Sequence, residues 1–316
     1  MNTKAMAAAL AAACVAAGCS SALRGGDADM DVHLHSTYFL ARSAGFEPAE
    51  AVEIAAADYY TDEHPETTSV GTERRIVGGL LNPVTAPRIL LTGLAGWALG
   101  GEGLKRSFGS RTAEATAWTL GPDAIRLHFP ARGVHEQVAP AFAKDPVSGE
   151  LYYRNGDAVA VLERAFRALE TRDPDLPRAL ALLGIGLHTL QDSYKHAGYD
   201  GTRGHVGADP NPDDVSLQPK LALEIAEATF HSLVHARRLL GCGGSASAPP
   251  WEERLKQIYT DSHGEGTDRD ARWARAIRDA FGDDYRAWEQ TRAGWLAAGG
   301  GDAFGRALGR IRRIAW

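Results

Sequence analysis

The chain has 316 residues, 44% of them hydrophobic and 23% charged, with a formal charge of −6. That balance excludes a globally disordered chain and supplies enough apolar material for one large core. The acidic excess excludes a wholesale basic footprint, so no stable nucleic-acid complex is expected.

Lys4 precedes an apolar, alanine-rich run from Met6 to Ala17 that is too short to span a bilayer. The run ends at Ala16-Ala17-Gly18-Cys19, which resembles the lipobox of bacterial lipoproteins, with Cys19 as the lipidated residue. The expectation is a signal peptide over 1–18, a tether over 19–30 and a helical metal-binding domain over 31–316. The protein would then sit at the cell envelope, held to the membrane by lipid, with Ser20 favouring the outer membrane. Of the three cysteines, Cys14 would be lost and Cys19 acylated. Cys242 alone remains, which leaves no internal disulfide.

Val32 to Ala44 and Pro48 to Thr61 predict two helices, the second opened by Glu47-Pro48. Glycine and proline then crowd residues 71–122, an insertion whose apolar stretch Ile89 to Leu99 reads as a buried helix or as a lid or membrane-touching segment. Turn residues around Leu151-Tyr152-Tyr153 predict a small hairpin. Helical patterning follows over Asp157 to Glu170, Pro177 to Gly198 and Ser216 to Leu240. After a Gly/Ser/Pro linker it resumes over Trp251 to Tyr259, Asp268 to Phe281 and Asp283 to Leu296, with a closing helix ending near Ile314. The expected architecture is all-α, a multi-helix single domain with a Gly-rich insertion.

The chemistry-bearing residues gather in a few places. In Gly184-Ile185-Gly186-Leu187-His188-Thr189-Leu190-Gln191-Asp192-Ser193-Tyr194-Lys195-His196, the residues His188, Asp192 and His196 recur every four positions. On a helix each such step drifts only about 40°, so all three project from one stripe. Two imidazoles and a carboxylate there suit a zinc-type dication, with Asp192 the natural bridging ligand. Burying them with no partner would strand polar groups. The small Gly184 and Gly186 would let another helix approach closely. Downstream, His205 and Asp209 stand four apart in a Gly/Pro-rich loop. Upstream, Asp31, His33 and His35 open the first helix, and Asp58, Asp62 and His64 close the second; His128 stands in an apolar setting.

The His-x-x-x-Asp helix, the following histidine and the later His-x-x-x-Asp together resemble the zinc-dependent phospholipase C and S1–P1 nuclease superfamily. The stretch Asp31-Val32-His33 through Thr37-Tyr38, Leu40-Ala41-Arg42 and Ala44-Gly45-Phe46 resembles more closely still an uncharacterised bacterial branch of it, which shares the helix motif and the later Gly-His. The resemblance covers residues 31–65 and 180–215. It implies a helical domain holding two or three Zn²⁺ and hydrolysing phosphodiesters or phosphomonoesters. His188 with Asp192 would be the first ligand pair, His196 the lone histidine, and His205 with Asp209 the second pair. Asp62 would be the early aspartate and His33 the N-terminal histidine, with His64 or His128 as the partner of Asp62. The characterised enzymes use an N-terminal tryptophan as a ligand; here Asp31 or His35 would stand for it. Asp62, Asp192 or Asp58 would orient the attacking water, with Asp62 and Asp192 the expected catalytic residues. The expected substrate is a phosphoester, in lipid or nucleotide. The alternatives are a non-catalytic envelope lipoprotein with structural metals, or a metal-dependent amide or glycan hydrolase.

Overall fold

The computed structural model describes residues 30–64, 67, 126–131, 136–199, 218–241, 251–260, 267–282, 284–297 and 301–312. The expected signal peptide, residues 19–29 of the expected tether with Cys19, the 71–122 insertion, His205, Asp209 and Cys242 lie outside them, while Met30 belongs to the first helical segment. The described residues are 75% helical and include one two-stranded sheet, as expected of an all-α domain.

The first predicted helix is a composite. A π-helical segment, Met30–Ser36, runs directly into α1, Thr37–Ser43. Such wide turns recur at functional sites. Gly45, in the left-handed region at φ 91°, ends α1 while the Phe46 amide returns to the Ala41 carbonyl. Helix α2, Pro48–Glu63, opens with proline and a capping box in which Glu50 accepts the Glu47 amide at 2.9 Å. The hairpin pairs β1, Phe142–Lys144, with β2, Leu151–Tyr153, antiparallel. Helix α3, Gly156–Glu170, is capped by Asn155, which accepts the Asp157 and Ala158 amides.

Helix α4, Leu176–Lys195, is the centre of the molecule. Asp175 caps it, and every residue from Ala179 to Lys195 is buried. A helix apolar on all sides must be surrounded by others, and the alanine- and leucine-rich sequence of α4 reads that way. Its two glycines are contact points. A Cβ on Gly184 would fall 2.3 Å from the Ile54 carbonyl oxygen of α2, and one on Gly186 would fall 2.8 Å from Leu162 Cα of α3. Both flanking helices therefore lie backbone-close to α4, as the sequence suggested.

The remaining helices are α5 (Pro219–Leu239), α6 (Trp251–Thr260), α7 (Thr267–Phe281), α8 (Asp284–Ala297) and α9 (Gly301–Ile311). Trp273 of α7 and Trp288 of α8 are fully buried beside the π-helical segment. No helix among the described residues is long and apolar enough to cross a membrane.

One boundary differs from the sequence expectation in a way that bears on the site. Helix α4 stops at Lys195, not near Gly198, and His196 is its C-cap. Gly198 adopts φ 87°, its amide goes to the Val138 carbonyl, and Val138 N–H goes to the Tyr199 carbonyl. The chain leaves the helix because pairing with residue 138 satisfies these groups outside it.

Candidate metal centre

Four elements converge on one buried point. The π-helical segment brings His33, α2 brings Asp58 and Asp62, α4 brings His188, Asp192 and Lys195, and the helical residues 126–128 bring His128. All seven side chains are buried. Gly184 is the local cause, because the near-contact of α4 with Ile54 and Asp58 sets the α2 carboxylates against His188. The chain just after His128 is held by Asn155, whose amide nitrogen donates to the carbonyls of Pro130 at 2.7 Å and Ala139 at 2.8 Å.

Around the first position stand Asp62, His128, His188 and Asp192. One ligand atom from each lies within 4.8 Å of the others, so these residues could hold a metal ion. Asp192 Oδ2 is 2.9 Å from His128 Nδ1 and 3.1 Å from His188 Nε2. The two imidazole nitrogens are themselves 3.1 Å apart. Asp62 Oδ1 completes the set at 3.5 Å from His128 Nδ1 and 3.7 Å from His188 Nε2. The far nitrogen of His128 lies 2.8 Å from the Thr67 carbonyl, and with Nε2–H donating there, the arrangement usual behind a metal-bound imidazole, Nδ1 is the nitrogen turned to Asp192. Thr67 is held in turn by its hydroxyl, which donates to the Thr61 carbonyl at 2.7 Å. In that tautomer acceptor atoms of both residue types face one another, an arrangement that a cation, proton or metal, relieves.

The second oxygens of the two carboxylates face the other way. Among the described residues, Asp62 Oδ2 and Asp192 Oδ1 accept no hydrogen bond. His33 Nε2 lies 3.9 Å from the former and 3.4 Å from the latter. Lys195 Nζ lies 3.1 Å from His33 Nε2 and 3.4 Å from Asp192 Oδ1. His33 is oriented from behind, where Nδ1–H donates to Asp58 Oδ1 at 2.9 Å. Asp58 Oδ2 accepts the Thr37 hydroxyl at 2.7 Å, and that hydroxyl accepts from Gln191 Nε2 at 2.9 Å. The rings of His33 and His188 stack at 4.2 Å.

The electrostatics follow from this packing. For His33, burial lowers the pKa, as do the neighbouring Lys195 and His188, but Asp192 and Asp58 outweigh them and raise it to about 9. For His188 burial again lowers it, while the charges of Asp192 and Asp62 carry it well above the ordinary value. Burial would raise Asp192, but Lys195, His188 and His196 hold it well below the usual carboxylate range.

Of the residues expected from sequence, His33, Asp62, His188 and Asp192 come together, joined by Asp58 and His128. Between the two candidate partners of Asp62, the structure places His128 at the cluster; His64 packs against Tyr60 and Phe304. His196 sits at the edge. Its Nδ1 donates to the His128 carbonyl at 2.6 Å, is 3.9 Å from Asp192 Oδ2, and its ring stacks on Phe129. It thus steadies the chain at His128. His35 faces away from His33, stacked on Trp273 and beside Trp288. Asp31 belongs to the same π-helical segment. Thr37, Thr67 and Gln191 were not singled out from the sequence, since a hydroxyl or amide gripping a carboxylate or a turn carries no spacing signal of its own.

No family model, curated protein or solved structure matches the chain.

Proposed function

We propose that the protein is a metal-dependent hydrolase of phosphoester bonds, phosphodiesters first, held at the cell envelope by lipid on Cys19. One observation carries the reading: the spacing of the donor atoms around the first position. Zinc with ligands at about 2.0–2.1 Å in a tetrahedron sets ligand–ligand edges of about 3.4 Å. The five separations given above among His128, His188, Asp62 and Asp192 run from 2.9 to 3.7 Å. The mixed nitrogen and oxygen donor set also suits zinc.

A bound dication supplies Lewis acidity, acidifying a water and neutralising charge on the phosphoryl oxygens. The chain's own residues do the rest. Asp62 is the most exposed member of the cluster at 8%, so approach from solvent is from its side. Its Oδ2, which accepts no hydrogen bond among the described residues, is placed to take a proton from an attacking water. Asp192, held ionised by the cations around it, keeps its charge throughout. The Lys195 ammonium sets a fixed positive charge beside the cluster, which favours a phosphate over a neutral amide or glycan.

The test is hydrolysis of a chromogenic aryl phosphodiester by zinc-loaded full chain, with Asp62→Asn and Asp192→Asn alongside. The reading expects zinc-dependent turnover that falls at least a hundredfold in both variants. Tightly bound zinc with no hydrolysis of phosphodiesters or phosphomonoesters would leave a lipoprotein in which metal only ties helices together.

A further inference from the structure

The carboxylates of Asp62 and Asp192 are shared between two positions. Asp62 Oδ1 and Asp192 Oδ2 face His128 and His188, while Asp62 Oδ2 and Asp192 Oδ1 face His33. Paired carboxylates divided in this way bridge two cations. The second position has its own imidazole nitrogen, His33 Nε2, backed by Asp58 in the carboxylate–histidine arrangement usual behind a metal ligand. Yet Lys195 Nζ already stands there, 3.1 Å from His33 Nε2 and 3.4 Å from Asp192 Oδ1. Lys195 is buried, and its helix ends at that residue.

We infer that the Lys195 ammonium is the second cation of this centre, and that the protein binds one dication per chain at Asp62, His128, His188 and Asp192. The inference rests on the metal reading above and narrows the two or three ions expected from resemblance. Geometry supports it: a dication at the second position would stand at contact distance from the Lys195 ammonium, which is itself 3.4 Å from the Asp192 oxygen that the ion would use, and that repulsion is strongly unfavourable. The donors agree. His188 turns Nε2 to the first position, and its Nδ1 lies 3.4 Å from Asp58 Oδ1, so it serves one metal and not two. Asp58 is occupied by His33 and Thr37 and serves as an orienting group.

The experiment is a Co²⁺ titration of the metal-free full chain, read by visible absorption and by total bound metal, on wild type, Lys195→Leu and Lys195→Ala. The wild type should saturate at one equivalent. Removing the ammonium should open the second position, so that at least one variant saturates at two. The wild-type stoichiometry stands even if both variants fail to fold. Two equivalents in the wild type, or one in the wild type and in every folded variant, would overturn the inference while leaving the metal reading intact. No bound metal in any of them would overturn the metal reading and the inference with it.

Discussion

Thr67 shows how the centre is tuned by a residue that touches no metal. Its carbonyl takes the His128 Nε2 proton, and its hydroxyl is pinned to the Thr61 carbonyl at the end of α2. Removing the hydroxyl frees the turn, and His128 loses its fixed tautomer. Orienting partners of metal-bound imidazoles are worth about 10–100-fold in affinity. Thr67→Val should therefore weaken Co²⁺ or Zn²⁺ binding by roughly tenfold or more in a competition assay, with the fold intact by circular dichroism. Unchanged affinity would show that the Thr67 hydroxyl does not hold the His128 ring in place. At this scale the sequence shows part of the site. His188 and Asp192 are legible because i, i+4 spacing on one helix is a local pattern. Asp58 and His128 stay among the candidates because their neighbours are distant in sequence, and nothing near them records that α2 and the helical residues 126–128 meet α4. His196 reads as a third member of the stripe, but the turn at Gly198 takes it off the helix and gives its Nδ1 to a carbonyl.

Among the elements, the crossing of α2 and α4 decides whether the centre exists. Gly184 is its pivot, since a methyl group there would meet the Ile54 carbonyl oxygen at 2.3 Å and the Asp58 nitrogen at 2.9 Å. Backbone atoms cannot swing aside as a side chain can, so the helices must part. Gly184→Ala is expected to destabilise the fold by about 1–3 kcal/mol, the usual effect of overpacking. It should also weaken metal binding, because α2 carries Asp58 and Asp62. A thermal melt and a metal titration check both; unchanged stability and metal affinity would show that the crossing is looser than described. The elements themselves are readable from sequence because each has strong local signals. Glu47-Pro48 and Asp175 start helices, and the apolar run of α4 marks a central one, whereas Asn155, which caps α3, reads in the sequence as part of the hairpin's turn signals. The π-helical start of the first helix has no such signal. His33 and Thr37 lie four apart, one in the π-helical segment and one at the first position of α1, and together they bracket the Asp58 carboxylate.

For the molecule as a whole, the centre couples folding, protons and metal. In the metal-free protein His33 is raised from an ordinary 6.5 to about 9, so its contribution is fully present below pH 6.5 and is lost as pH rises through about 9. The shift corresponds to roughly 3 kcal/mol at most. Asp192, lowered well below its ordinary 3.8, contributes stability above that value and loses it as pH falls through its folded one. Metal-free protein should therefore be most stable between about pH 4 and 6.5 and weaken progressively towards pH 9. Metal binding displaces the proton of His188, a ligand at the first position whose pKa is raised well above its ordinary value, so zinc-loaded protein should hold its melting temperature into the alkaline range where the metal-free form declines. Melts across pH, with and without chelator, measure the difference; two parallel curves would argue that metal and protons do not compete for the same groups. The most direct measurement is the zinc content of the full chain purified without chelator, with His188→Ala purified alongside. The account predicts stoichiometric zinc in the wild type and its loss in a folded His188→Ala. No bound zinc in the wild type, even after reconstitution, would contradict it.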